Sequence, residues 1–177
     1  SQIRRITKDY DEEEIEKIFL AEHPERQKLI KPAEPVWEQQ LSKWAAEDYK
    51  RKEFQEDMPV ILTEKGERVR SKSEKILADY FYRNGILYKY ECPLYLKRFG
   101  TVHPDFTFLS RKTKKEIYWE HDGRMDEPVY AQNAVKKIQA YEENDIYPGE
   151  RLILTFETEK IVLDTRMIER LVYRYLL

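Results

Sequence analysis

Hydrophobic positions along the 177-residue chain recur first with helical and then with strand period, and the change of period lays out its elements. Residues 11–20, an acidic run followed by Ile15, Ile18 and Phe19, read as a short helix, and Pro24, Pro32 and Pro35 then break the pattern. Trp37, Leu41, Trp44, Ala45 and Tyr49 share one helical stripe and predict a helix over 36–51 with a docked face. Phe54 to Val69 reads as extended. From Ser71 the order is a helix over 72–84 stopped by Gly85, strands over 86–96, 102–110 and 115–121, a helix over 129–143, a strand over 151–156 and a closing helix over 165–176. A three-strand meander followed by a helical crossover predicts an α/β fold with a mixed sheet and helices packed against it.

The second and third of these strands carry the candidate chemistry. Arg111 to Lys114 suit a short hairpin loop, and a turn centred between Lys112 and Thr113 sets Phe106 opposite Trp119 and Phe108 opposite Ile117. One face is then aromatic and aliphatic, and the other carries Asp105, Thr107, Tyr118 and Glu120. In that register Asp105 opposes Glu120, with Cβ atoms about 4.5–5.5 Å apart, close enough to demand a proton or a cation between them. Oxygen ligands of this kind favour Mg²⁺, Mn²⁺ or Ca²⁺. An odd loop length would shift the pairing and turn Glu120 to the core.

Two helices flank this hairpin. Ser71-Lys-Ser-Glu74 fits a capping box in which Ser71 caps the helix and Glu74 reaches back to the Ser71 amide, while Glu74 shares a face with Leu77, Ala78 and Phe81. On the 129–143 helix, Ala131, Ala134, Val135, Ile138 and Tyr141 form the expected buried stripe. Lys137 lies on its flank, able to snorkel towards the sheet acids, and Lys136 points to solvent.

Composition narrows the class. With 41% hydrophobic and 37% charged residues of nearly balanced sign, the chain reads as one ordinary globular domain. No apolar run approaches the roughly 20 residues of a spanning helix and no signal-like segment opens the chain, so the expectation is a cytoplasmic protein without membrane contact. Cys92, the single cysteine, excludes an intrachain disulfide and a cysteine-rich zinc site. Residues 1–60 hold 11 basic and 15 acidic side chains, leaving 21 basic and 19 acidic in 61–177. Cations gather from Lys65 to Lys75, at Lys97-Arg98, at Arg111 to Lys115 and at Lys136-Lys137, a distribution able to follow a phosphate backbone.

Helix-borne Glu74, the Pro104-Asp105 dipeptide and Glu120 on the next strand resemble the PD-(D/E)xK nuclease superfamily. Val69 to Glu74, His103 to Phe106, Tyr118 to His121 with Gly123, Lys137 with Tyr141, and Pro148-Gly149 with Leu152 to Phe156 are similar to one bacterial branch. That branch includes small stand-alone proteins and nuclease-like domains of helicase-related proteins. The resemblance implies a restriction-endonuclease-like αβββαβ core over 67–177 with an N-terminal helical extension over 1–66 packed on it. It implies Asp105 and Glu120 as primary metal ligands, Glu74 as a third, direct or through water, and the His121 carbonyl as another. The motif expects a lysine two residues after the acid, where this chain has Asp122, and Lys137 is the candidate for that role from the helix. His121 is a lesser candidate base, since alternation turns it towards Trp119. The implied activity is phosphodiester hydrolysis with Mg²⁺ or Mn²⁺ on nucleic acid, DNA first, with Arg70, Lys72, Arg111 and Lys112 as candidate phosphate contacts. A homodimer, or a protein partner on the N-terminal helices, fits such an enzyme. The competing expectation is a non-catalytic nucleic-acid-binding or adaptor module that keeps the fold and docks a partner through the Trp37/Trp44 helix.

Overall fold

A computed structural model describes residues 12–29 and 35–177. The expected helix start at residue 11, the side chain of Ile15 and the break at Pro32 lie outside the described residues. The chain divides into two compact units between Trp44 and Ala45. The first contains helices α1 (Glu12–Ala21) and α2 (Pro24–Gln27) and nearly all of α3 (Trp37–Ala45). Helix α3 is shorter than the predicted 36–51, because its expected last turn is drawn into other contacts. The Tyr49 hydroxyl donates to the Tyr90 carbonyl at 3.0 Å, and Glu47 pairs with Lys89 at 2.8 Å. Trp44 is buried, so part of the aromatic stripe offered to a partner is already covered.

The second unit is built on a mixed four-stranded sheet of order β3-β6-β7-β8 (Lys89–Tyr90, Phe106–Leu109, Glu116–Asp122, Leu152–Phe156). Strand β6 runs antiparallel to both β3 and β7, and β8 pairs parallel with β7 after a crossover through α5 (Pro128–Glu142). A short ribbon, β1 (Ile61–Leu62) with β2 (Arg68–Val69), leads into α4 (Lys72–Arg83). A separate hairpin joins β4 (Leu94–Leu96) to β5 (Gly100–Val102). Two predicted strands are therefore interrupted. The first breaks where Glu91 takes a left-handed φ of 50° just before Pro93, and the second breaks at Pro104, which has no N–H to give a ladder.

Period-two alternation gives the sheet two unlike faces. On one, Leu77, Ala78 and Phe81 of α4 and Ile168 and Val172 of α6 (Thr165–Tyr175) pack with Phe106, Phe108, Ile117, Trp119 and Ile153. On the other, Ala140 and Tyr141 of α5 meet Tyr118, Leu152 and the inward residues Leu96 and Val102 of the hairpin. Helix α4 is bounded at both ends as its sequence prescribes. Ser71 Oγ accepts the Glu74 amide at 3.1 Å, and Gly85, at φ 67°, closes the other end while the Ile86 amide reaches the Phe81 carbonyl at 2.9 Å. Among the described residues no helix is long and apolar enough to cross a membrane.

Phe81 joins the helix to the sheet, with ring centroids 5.0–5.8 Å from Phe108, Phe106, Trp119 and Tyr88. Phe81→Ala is expected to destabilise the protein by about 3–5 kcal/mol, read as a lowered urea midpoint with little change in slope. A loss below about 1 kcal/mol would show that this cluster does not hold α4 on the sheet.

Candidate active site

The β6–β7 ladder has the register expected from the loop: Phe106 opposes Trp119, Thr107 Tyr118, Phe108 Ile117 and Leu109 Glu116. The ladder ends just before Asp105, and the side chain of Asp105 takes over from the backbone. Its Oδ2 accepts the His121 N–H at 2.6 Å. A residue's N–H and C=O point to the same side of a strand, so the His121 carbonyl also faces the β6 side, where Asp105 lies.

Glu120 is buried and held at both oxygens by α5: Lys137 Nζ donates to Oε2 and the Tyr141 hydroxyl to Oε1, each at 2.7 Å. The inward line of α5 is Tyr130, Ala134, Lys137 and Tyr141. Val135, expected in the stripe, is 49% exposed, which turns the helix so that Lys137 lies on its inner face rather than on its flank. Lys136 is exposed, as anticipated.

Burial pushes the Asp105 carboxyl well above the ordinary carboxylate range, and the charges of Glu120 and Glu74 add to the effect. Burial also raises Glu120, partly offset by Lys137 and Tyr141. Desolvation alone would lower Lys137, but the Glu120 charge and hydrogen bond outweigh it and hold the ammonium above its ordinary value. Lys137 therefore stays protonated at neutral pH.

Glu74 reaches back over the start of α4, but it accepts the Arg70 amide rather than the Ser71 amide. Its Oε2 accepts the Arg70 amide at 2.9 Å and the Tyr90 hydroxyl at 2.6 Å, and Oε1 accepts the Ser71 hydroxyl at 3.0 Å. Its charge is nevertheless felt at Asp105. Among the described residues no group of three His, Cys, Asp or Glu side chains converges as a ready metal cluster. Asp105 and Glu120 are close enough for the charge of Glu120 to act on Asp105.

The His121 ring lies on the Trp119 side and is fully engaged. Nε2 is 3.0 Å from Glu157 Oε2, which also accepts the Ser73 hydroxyl at 2.6 Å, and Nδ1 is 3.0 Å from Thr155 Oγ1, which accepts Trp119 Nε1 at 2.9 Å. With both nitrogens committed, the ring is a strut between β7, β8 and α4 rather than a base. Alternation along β7 foretold its direction. Glu157 carried no signal, because its place depends on the parallel β7–β8 register that sets Asp122 beside Phe156.

Asp122 is only 2% exposed, and it is charge-coupled to Lys137 and Glu120. Its Oδ1 takes a long 3.4 Å hydrogen bond from the Tyr130 hydroxyl, and its Oδ2 has no hydrogen-bond partner among the described residues. Sequence reading treated it as a missing lysine and overlooked this orphaned acceptor.

The candidate phosphate contacts separate. Lys72, at the start of α4, and Arg111 and Lys112, in the β6–β7 loop, are exposed. Arg70 is not a surface cation: its side chain is 16% exposed, bonded through Nε and Nη2 to Glu91 at 2.5 and 3.1 Å, and bound to the carbonyls of Lys52 and Glu53. The same guanidinium stacks on Phe54 at 4.4 Å. Local charge suggested a phosphate ligand, but a buried acid 21 residues away claims the guanidinium.

No family model matches the chain. It is 30% identical over 124 residues to uncharacterized protein MJ1519 of Methanocaldococcus jannaschii, a match covering 63% of this chain and 10% of that protein. The chain thus spans about a tenth of the length of the curated relative it matches. No solved structure matches. Fold and site together define a mixed α/β protein with two buried carboxyls of raised pKa at the end of a hairpin.

A carboxyl whose folded pKa is raised binds protons more tightly in the native state, so its stabilising protonation is lost as pH climbs from the ordinary carboxylate value through the raised one. Asp105→Asn is therefore expected to raise the melting temperature by a few degrees at pH 8 in chelator-treated buffer and to flatten the decline in stability above pH 4. A parent-like profile in the variant would remove the strained-acid account.

Proposed function

We propose that this chain is a divalent-metal-dependent nuclease of the PD-(D/E)xK type, hydrolysing phosphodiester bonds of DNA in the cytoplasm. The observation that carries the reading is the meeting of three parts: Asp105 at the end of β6, Glu120 on β7, and Lys137 from the crossover helix 2.7 Å from Glu120. The order α4, β3, β6, β7, α5, β8 agrees with the αβββαβ restriction-endonuclease-like core that the motifs imply.

The residues suit a hard cation. Two acids with raised pKa values gain from a positive charge between them, and the buried Asp122 Oδ2 is an acceptor lacking a donor. Asp105, Glu120 and the His121 carbonyl would hold Mg²⁺ or Mn²⁺. Glu74, already accepting three hydrogen bonds out of about four acceptor positions, would join through water. When bound, such an ion acidifies water and offsets charge on the phosphate.

The chain's own groups divide the remaining work. Lys137, held protonated, cannot act as the base. It orients the attacking water and meets the negative charge that grows on the phosphate oxygens as water adds and the leaving oxygen departs. Tyr141 fixes the other oxygen of Glu120, so that the carboxylate presents one orientation to the site. Lys72, Arg111 and Lys112 offer exposed phosphate contacts, and Arg70 keeps the approach to α4 rigid.

A specific observation favours a second reading. Asp122 lies where the motif puts its lysine, and that supports a catalytically silent module that binds nucleic acid or adapts a partner on the same fold. The two readings part in one experiment. Single-stranded, duplex and branched DNA are incubated with the protein in Mg²⁺ or Mn²⁺, beside Asp105→Ala and Lys137→Ala, with folding followed by circular dichroism. The nuclease reading expects cleavage by the parent, its loss in Asp105→Ala and a drop of at least a hundredfold in Lys137→Ala. It also expects calorimetric Mn²⁺ binding that Asp105→Asn abolishes. No cleavage of any of these DNAs, or cleavage surviving in Asp105→Ala, would overturn it.

A further inference from the structure

The β4–β5 hairpin has an inner and an outer side of opposite character. Leu94 pairs with Val102, Tyr95 with Thr101 and Leu96 with Gly100. Leu96 and Val102 are buried against Tyr118, Ala140, Tyr141, Ile146 and Leu152, which anchors the ribbon to the face that carries Glu120. The outer side presents Tyr95 (70% exposed) and Phe99 (49% exposed), with Lys97 and Arg98 exposed between them.

Among the described residues nothing accounts for this outer side. Among the described residues neither ring makes a ring contact or a side-chain hydrogen bond, and neither cation has an ion-pair partner. A lone exposed aromatic is ordinary. Two aromatics and two free cations within five residues, with no acid among them, form a different pattern: flat π surfaces interleaved with phosphate-binding charge.

The tip is also held in place. Asn144, just past α5, accepts the Lys97 amide at 2.7 Å and donates to the Lys97 carbonyl at 3.4 Å and to Ala140 at 2.8 Å. The helix that brings Lys137 to Glu120 therefore also fixes the hairpin. Seven residues separate Lys137 from Asn144, about 10 Å along the helix, or about three stacked nucleotide steps. Glu142, Glu143 and Asp145 are exposed beside the clamp, so acids border the cations of the tip on its helix side.

We infer that the β4–β5 hairpin is a binding arm for single-stranded nucleic acid, in which Tyr95 and Phe99 stack on unpaired bases while Lys97 and Arg98 contact the flanking phosphates. The inference rests on the nuclease reading for its substrate class and deepens it, assigning the strand form engaged beside the candidate centre.

The test measures binding of the full chain, in chelator so that nothing is cut, to a thymidine-rich 12-nucleotide single strand carrying 2-aminopurine and to a duplex of the same length. Tyr95→Ser with Phe99→Ser is expected to weaken single-strand binding at least tenfold and to abolish the 2-aminopurine quench, while duplex binding changes little. Lys97→Gln with Arg98→Gln should reduce the slope of log affinity against log salt by about 1.4, at about 0.7 per phosphate. All four positions are exposed, and unchanged melting temperatures check that the variants fold. Unaltered affinity, quench and salt slope in both pairs would overturn the arm, as would equal losses on single strand and duplex. Hairpin-dependent binding by a parent that cuts no DNA in Mg²⁺ or Mn²⁺ sinks the nuclease reading and leaves the arm standing. Cutting by a parent whose hairpin variants bind normally does the reverse, and a parent that binds no nucleic acid in chelator removes the arm.

Discussion

The register of β6 against β7 is the constraint from which the rest of the site follows. A strand has period two, so a slip of one residue would exchange the face bearing Phe106, Phe108, Trp119 and Ile117 with the face bearing Thr107, Tyr118 and Glu120. Burial of four large apolar side chains on one face, at roughly 1.5–3 kcal/mol each, fixes the choice far more firmly than any polar contact. The loop agrees with the core: the Ser110 amide reaches the Lys115 carbonyl at 2.9 Å, and Lys114 takes a left-handed φ of 55° to close the four-residue turn. The position of the two acids is thus a by-product of hydrophobic packing on the opposite side of the sheet. Pro104 then withdraws Asp105 from the ladder, which frees its carboxylate to take the His121 amide instead of leaving that donor bare.

Features that depend on period or on local chemistry were legible in the sequence. The hairpin register, the Ser71 cap and Gly85 stop of α4 and the inward turn of His121 all follow from neighbours within a few residues or from a single turn. Features fixed by distant partners were not. Arg70 resembled a surface cation until Glu91 and Phe54 enclosed it, and Val135 resembled a core residue until the helix settled on the small side chain of Ala134. Glu157 depends on a parallel pairing that no local pattern announces. Propensity reads the chain a few residues at a time, and tertiary contacts decide between the alternatives it leaves.

Charge explains why α5 must sit where it does. Glu120 and Asp122 are buried on one strand beside the part-buried Asp105, and moving carboxylates out of water is costly unless donors or cations replace the lost hydration. Helix α5 supplies Lys137, Tyr141 and Tyr130, all reaching towards these acids from one side. Its inner face is therefore polar near the strand ends and apolar towards Ala140 and Tyr141, where it meets Leu152 and the hairpin. The helix serves as a lid of donors over an acidic strand end.

The same charge balance gives Asp122 a physical reason. A lysine at that position would share a face with Glu120 and bring a second ammonium to a carboxylate whose two oxygens already accept from Lys137 and Tyr141. Two ammonium groups competing for one buried acid would repel, and one of them would be buried without a partner. With the lysine supplied by α5, an acid at position 122 adds attraction for Lys137, as its coupling to that group indicates, and leaves one oxygen unclaimed beside the paired carboxylates. The cation on α5 and the acid at position 122 thus balance each other beside Glu120. An acid at position 122 suits the cation that α5 presents to this strand end.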